Sequence, residues 1–181
     1  MKQQKKRRKR GEWQRRQIKA LTDEIMNCLR AQLWYAALVL ILTLPDICAA
    51  LEAPDGQSKP DRYQAWCEKW LLANKYPLVS AKDLYFLRCG VAHQAKFRHP
   101  AMTYNRIFFT LRSKDGFWAH MNKHQGALNL DLVMFAKDMI DAVEAWYTTE
   151  AKTPNVTKNI GSLIQFYPNG LLDFLNLPAI G

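Results

Sequence analysis

No Cys-x-x-Cys pair occurs in the 181 residues, and the four cysteines, Cys28, Cys48, Cys67 and Cys89, stand well apart along the chain. That pattern excludes the common zinc clamps. With no signal peptide at the start, it predicts free thiols in a cytoplasmic protein. Long hydrophobic runs are also lacking. The apolar stretch at 33–44 ends at Thr43, Pro45 and Asp46, short of the roughly 20 residues that a bilayer core demands, so a buried core helix is expected and no transmembrane segment. No internal repeat is visible. His120 and His124 have no glutamate between them in the zincin manner and no third ligand nearby, so they are expected to be surface histidines, with no metal and no cofactor.

Acidic charge is nearly missing from the first twenty residues, where only Glu12 opposes ten lysines and arginines. The formal charge of +10 therefore sits mostly at this end, and the basic pI describes the tail more than the folded body. Residues 1–12 read as a solvated, disordered basic arm, because no apolar side chain there can be buried before Trp13 except Met1. Lys5, Lys6, Arg7, Arg8, Lys9 and Arg10 are its candidate nucleic-acid contacts, acting through counterion release without sequence choice. A solubility tail is the plainer reading. Anchoring at an anionic membrane surface by the arm and first helix ranks last.

An apolar content of 49% argues for one globular domain, expected over residues 13–150, with an irregular tail at 151–181. Ile18, Leu21, Ile25, Cys28 and Leu29 recur at helical spacing and lead into the apolar stretch, predicting one long helix or two in series to about Leu51. Pro54, Asp55, Gly56, Ser58 and Pro60 mark a loop. A further helix is expected over 61–73, with Tyr63, Trp66, Trp70 and Leu71 inward. Ser80-Ala81-Lys82-Asp83 resembles a capping box that opens the next helix, in which Leu84, Leu87 and Val91 form one stripe. Residues 105–111 and 117–120 read as a β-hairpin turning at Asp115-Gly116. The last strong helix follows Asn129, with Phe135, Met139, Val143 and Trp146 at helical spacing. In the tail, Leu171, Leu172, Phe174 and Leu175 are expected to form one short apolar turn. The fold class is mainly α: a helical bundle with a small hairpin before its last long helix.

Near the end of the capping-box helix lies Leu87-Arg88-Cys89-Gly90-Val91-Ala92-His93-Gln94. A histidine can exchange a proton near neutral pH, and a guanidinium holds permanent charge in a fork that matches phosphate oxygens. Five residues on an ideal helix separate the two by some 140°, so they converge only if the long arginine reaches around or a second subunit supplies its copy. Gly90 would let a backbone or ligand approach closely. In the plainer reading Arg88 reaches to solvent and His93 caps a helix end or sits satisfied in the fold. The aromatics Trp66, Trp70, Phe108, Phe109, Trp118 and Trp146 could stack bases, but core packing is their default. Asp138 and Asp141 read as an exposed acidic face.

Arg-x4-His late in an all-helical domain resembles the signature of the HEPN superfamily. The wider arrangement resembles a group of uncharacterised bacterial HEPN-like proteins: Leu44-Pro45-Asp46-Ile47-Cys48 after an apolar helix, Arg62 to Cys67, the Arg88 to Gln94 stretch, a hairpin, and a last helix ending at Trp146. The resemblance covers about residues 25 to 148. It implies a homodimer whose paired motifs form a metal-independent endoribonuclease site, acting on RNA or another nucleic acid. His93 would then take the proton of a ribose 2′-OH, and Arg88 would neutralise charge on the pentavalent phosphate. Position 89 departs from the motif, being cysteine where many active relatives carry a polar residue. Ala95 stands where toxins paired with nucleotidyltransferase antitoxins carry tyrosine. The alternative is a catalytically inactive HEPN-like module that binds a protein or nucleotide partner.

Overall fold

The computed structural model describes residues 2–73, 75–170 and 177–181, with side chains described from residue 13 onward apart from residue 74 and residues 171–176. It is mainly helical. α1 spans Lys2–Arg30 and α2 spans Trp34–Glu52, so the first apolar region is two helices in series. The break is local: Gln32 takes φ of 59°, and the Leu33 N–H returns to the Cys28 carbonyl at 2.8 Å. Positive φ is costly for a side chain with a Cβ, which stops helical propagation at this point. The backbone of residues 2–12, expected to be a separate disordered arm, continues α1 instead. Lys, Arg, Gln and Glu are good helix formers, and only Gly11 interrupts them. The side chains of the arm lie outside the described residues.

Ile18, Ile25 and Leu29 of α1 are buried as the periodicity predicts, packed against α2. α2 is long and apolar enough to cross a bilayer by length and composition alone. Here it is the central helix, with Ala37, Leu38, Ile41, Leu42, Cys48 and Leu51 buried in the core. Pro45 sits inside it without an N–H to donate, and the Tyr63 hydroxyl donates to the nearby Leu42 carbonyl at 3.1 Å. α3, Pro60–Trp66, opens with proline at its first position, where no intrahelical N–H is needed, and continues as π-helical turns over Cys67–Leu72. α4, Ala81–Gln94, starts with the expected capping box. The Ser80 hydroxyl accepts the Asp83 N–H at 3.0 Å, and the Asp83 carboxylate accepts the Ser80 hydroxyl at 2.7 Å. Asp83 is buried because its other oxygen accepts the Thr103 N–H at 2.6 Å.

The sheet corrects the expected hairpin. β1, Arg106–Thr110, does not pair with residues 117–120 but runs parallel to β3, Ala127–Asp131, with Ile107 opposite Leu128. β2, Asn122–His124, pairs antiparallel with β3, giving the order β1-β3-β2. A small hairpin does precede the last long helix, but it turns at Gln125-Gly126, where both φ values are positive (48° and 75°), as a tight hairpin requires. Asp115-Gly116 does form a turn, closed by the Ser113 N–H on the Phe117 carbonyl. Its return arm is drawn off the ladder: the Ala119 carbonyl accepts from the side chains of Thr110 and Asn129, and His120 Nδ1 accepts the Asp131 N–H.

α5, Leu132–Glu150, is capped by the Asp131 carboxylate, which accepts the Met134 N–H at 2.7 Å, and it buries Phe135, Met139, Val143 and Trp146. The 151–181 segment is not wholly irregular. α6, Pro154–Asn159, and the 3-10 turn Ile160–Ser162 put Val156 and Ile160 into the same core. The Asn159 amide donates to the carbonyls of Leu51 and Ala53 at 3.1 and 2.8 Å, and Asn155 donates to that of Glu52 at 2.8 Å. The Leu51 and Glu52 carbonyls are the last acceptors of α2, so α6 serves as its C-terminal cap, and the Ala53 carbonyl accepts the Gly56 N–H as well. β4, Phe166–Tyr167, pairs with β5, Ala179–Ile180. The apolar turn expected at Leu171, Leu172, Phe174 and Leu175 lies outside the described residues.

Candidate functional site

Asp46 is the only charged residue between Trp34 and Leu51. An ionised carboxylate among apolar residues needs partners, and three groups supply them. Arg88 Nε and Nη2 both approach Asp46 Oδ2 at 2.5 Å, and the Ser58 hydroxyl donates to Oδ1 at 2.8 Å. The side chains of Arg88 and Asp46 are only 22% and 15% exposed. Burial alone would lower the guanidinium pKa, but the Asp46 carboxylate outweighs it and the net shift is upward. Arg88 is thus a fixed, permanent cation tied to α2, instead of a side chain reaching to solvent.

This tie decides where the remaining nitrogen goes. Arg88 Nη1 faces His93 Nε2 at 3.4 Å, so the arginine bridges the angular separation along α4 within one chain. A guanidinium only donates, so the contact fits a neutral ring with Nε2 as acceptor and its proton on Nδ1. His93 is exposed. Cys89, at the position where the motif departs, offers only a sulfur 3.8 Å from Nη1. Orientation of the guanidinium therefore comes from Asp46, across from a different helix.

Aromatic rings wall the other side. Tyr63 and Tyr85 meet edge-on at 5.6 Å, and Tyr85 contacts Phe86 at 5.4 Å. Burial first, and then the neighbouring Cys89 thiol, push the Tyr85 hydroxyl pKa up. The chain beyond α4 folds back over the same face. Ala95 adopts the left-handed conformation, the Lys96 N–H bonds the Gly90 carbonyl at 3.0 Å, and His99 stacks on Phe86 at 4.3 Å. Gly90 is needed for this, because a Cβ there would come within 2.7 Å of the Lys96 carbonyl oxygen. The approach that Gly90 allows is thus one of backbone. The fold-back leaves an open cleft lined by Gln94, Lys96, Arg98, His99, Tyr104 and Asn105, which begins one residue beyond His93 in the chain.

The other candidates fall apart from this site. His120 is half-buried between Tyr76 and Trp118, whereas His124 is exposed on β2. Among the described residues no group of three or more His, Cys, Asp or Glu side chains is placed to hold a metal ion. Asp138 is not a free acidic face: it accepts from Lys75 Nζ at 2.9 Å and from the Tyr76 hydroxyl at 2.8 Å. All four cysteines are free thiols, and burial pushes those of Cys48 and Cys67 up, away from the reactive thiolate. Trp66 and Trp146 are core residues as expected, but Trp118 is not. Lys5 to Arg10 cannot be placed, since their side chains lie outside the described residues.

Sequence reasoning assigned no role to Asp46, Ser58 or Tyr35, whose hydroxyl donates to the Val91 carbonyl at 3.2 Å. For Asp46 a signal existed in the single charge inside an apolar helix. For Ser58 and Tyr35 there was none, because each acts through a partner far away in the chain. No family model, no curated protein and no solved structure matches the chain.

Proposed function

We propose that the chain is an RNA-binding HEPN-like protein that cleaves RNA without a metal, using His93 as general base and Arg88 to hold the reacting phosphate. The observation that carries this reading is the approach of Arg88 Nη1 to the exposed His93 Nε2, with the guanidinium fixed from behind by Asp46. A phosphate oxygen entering between them would draw Nη1 to itself and free Nε2 for a ribose 2′-OH. His93 then takes that proton as the 2′ oxygen attacks phosphorus, and Arg88 neutralises charge on the pentavalent phosphate. The 5′ oxygen leaves with a proton from solvent, and the product carries a 2′,3′-cyclic phosphate. In the homodimer that the resemblance implies, a partner's copy would lie across the same face of α4.

End-group analysis of a labelled mixed-sequence RNA, incubated with the protein in EDTA, tests this. Fragments ending in cyclic phosphate, absent when His93→Ala replaces the parent, are the expected result. Fragments with 3′-hydroxyl ends, or no fragments, count against it.

A second reading has its own support. Two of the three Arg88 nitrogens are committed to Asp46, which suits a structural arginine in a catalytically inactive module that binds a protein or nucleotide partner. Under that reading Arg88→Lys unfolds or loosens the protein, whereas His93→Ala leaves every property unchanged.

A further inference from the structure

Basic charge in the folded body is concentrated in one place. Residues 95–124 hold Lys96, Arg98, Arg106, Arg112, Lys114 and Lys123 against a single acid, Asp115, and three of the four histidines of the chain. The ion pairs of the described residues, at Lys19, Lys59, Arg62, Lys69, Lys75 and Arg88, all lie outside this segment. Cations left without carboxylate partners repel one another, a cost that a polyanion relieves.

The same segment exposes rings. Phe117 is 72% exposed, Trp118 45% and Phe97 38%. They are not scattered. β1 is an edge strand whose inward residues, Ile107 and Phe109, pack into the core, and alternation turns Arg106, Phe108 and Thr110 the other way. The Arg106 guanidinium lies over the Phe108 ring at 5.6 Å. Beyond the strand end, Arg112 lies over the Trp118 ring at 5.7 Å, with Phe117 beside it. At the other end, the Phe97 carbonyl accepts the Ile107 N–H and its ring meets the inward Phe109 at 6.4 Å, while its chain neighbours Lys96 and Arg98 line the open cleft. Cation-on-ring pairs thus stand at both ends of β1, Arg106 on Phe108 and Arg112 on Trp118.

We infer that this face binds a single-stranded polynucleotide, with bases stacking on Trp118, Phe117 and Phe108 and phosphates meeting Arg106, Arg112 and Arg98. Charge complementarity calls for a polyanion, and exposed rings between the cations call for one with unstacked bases, since paired bases offer no free face. The inference deepens the proposed function, on which it rests only for the fate of the strand once it reaches His93. The binding itself stands on the charges and rings.

The test is fluorescence anisotropy with full-length protein carrying His93→Ala, so that the probe survives. The probes are a labelled uridine oligomer, its deoxythymidine counterpart and an RNA duplex of the same length. Both single strands are expected to bind more tightly than the duplex. Trp118→Ala should weaken single-strand binding by about 5- to 150-fold without altering its salt dependence, and Trp118→Tyr should restore most of the loss. Arg106→Ala with Arg112→Ala should instead flatten the dependence of log affinity on log salt by about 1.4. Trp118 and Phe117 are exposed, so circular dichroism of their variants should match the parent. Duplex binding as tight as single-strand binding overturns the inference, as does unchanged affinity in both Trp118→Ala and Phe117→Ala. So does binding to phosphatidylserine vesicles in place of oligonucleotide, lost in the double arginine variant. Single-strand binding without cleavage by the parent protein leaves this face standing and removes the nuclease. Cleavage with binding indifferent to Trp118 does the reverse.

Discussion

At the residue scale Asp46 sets the geometry of the Arg88–His93 pair. Under the proposed function it is a positioning residue, which fixes the guanidinium that would meet the phosphate. Asp46→Asn keeps the shape and one acceptor but removes the charge, leaving Arg88 half-buried beside a neutral amide. The variant should lose about 1–3 kcal/mol of stability, below the cost of breaking a fully buried pair because both side chains keep some solvent. Denaturant unfolding checks this, and RNA cleavage should fall more in maximal rate than in KM, since Arg88 is displaced and not removed. Equal stability with unchanged rate would mean that the pair orients nothing. His120 gives a second residue-scale expectation. Burial lowers its pKa, against opposing pulls from Asp131 and Asp138, and its neutral Nδ1 accepts the Asp131 N–H. A base whose folded pKa lies below its unfolded value contributes stability that is complete above about pH 6.5 and is lost as pH falls through the folded value. Stability should therefore drop more steeply from pH 7 to pH 5 in the parent than in His120→Gln. Parallel pH profiles would remove His120 from the acid sensitivity.

At the element scale, α4 carries the pair and the loop after it sets the surroundings. Gly90→Ala should raise intrinsic helix propensity by about 1 kcal/mol yet destabilise the protein, because the new Cβ meets the Lys96 and Arg98 carbonyls at 2.7 and 3.3 Å. A higher melting temperature in that variant would show that the fold-back yields freely. Asn159→Ala removes the side-chain donor from the Leu51 carbonyl and one of two donors from that of Ala53, and should cost about 1–3 kcal/mol, read by the same unfolding measurement. These two elements also mark where the sequence was legible. The α1 and α5 stripes and the Ser80–Asp83 cap were readable because period and capping act over a few residues. β3 was not, since Ala-Leu-Asn-Leu-Asp has no β-branched residue and is buried throughout, so neither propensity nor alternation marks it. α6 was hidden because Pro154 and Gly161 read as breakers, although proline at a first helical position is tolerated. The Arg88–His93 pair was visible as residue types, but its convergence depends on Asp46, forty-two residues away.

At the scale of the whole molecule, two basic regions sit on a body whose remaining residues are net acidic: the N-terminal turns of α1 and the segment 95–124. Net charge alone assigns everything to the first, because acids elsewhere in the body cancel the second. A polyanion drawn by both would be guided by the long-range field and then sorted by the rings. One core joins these parts, from Ile18 through Ile160, so the site, the fold-back and the β edge are held by a single packed unit. Within that unit Arg88 and His93 are proposed to act together on phosphate. The most direct measurement is the single-turnover cleavage rate of a labelled RNA in EDTA for the parent, His93→Ala, Arg88→Ala and the double variant, each confirmed as folded. Loss of at least about 100-fold in each single variant, with the double variant no worse than the singles, is the predicted result. Cleavage that persists in His93→Ala, or that no form of the protein supports, would contradict it.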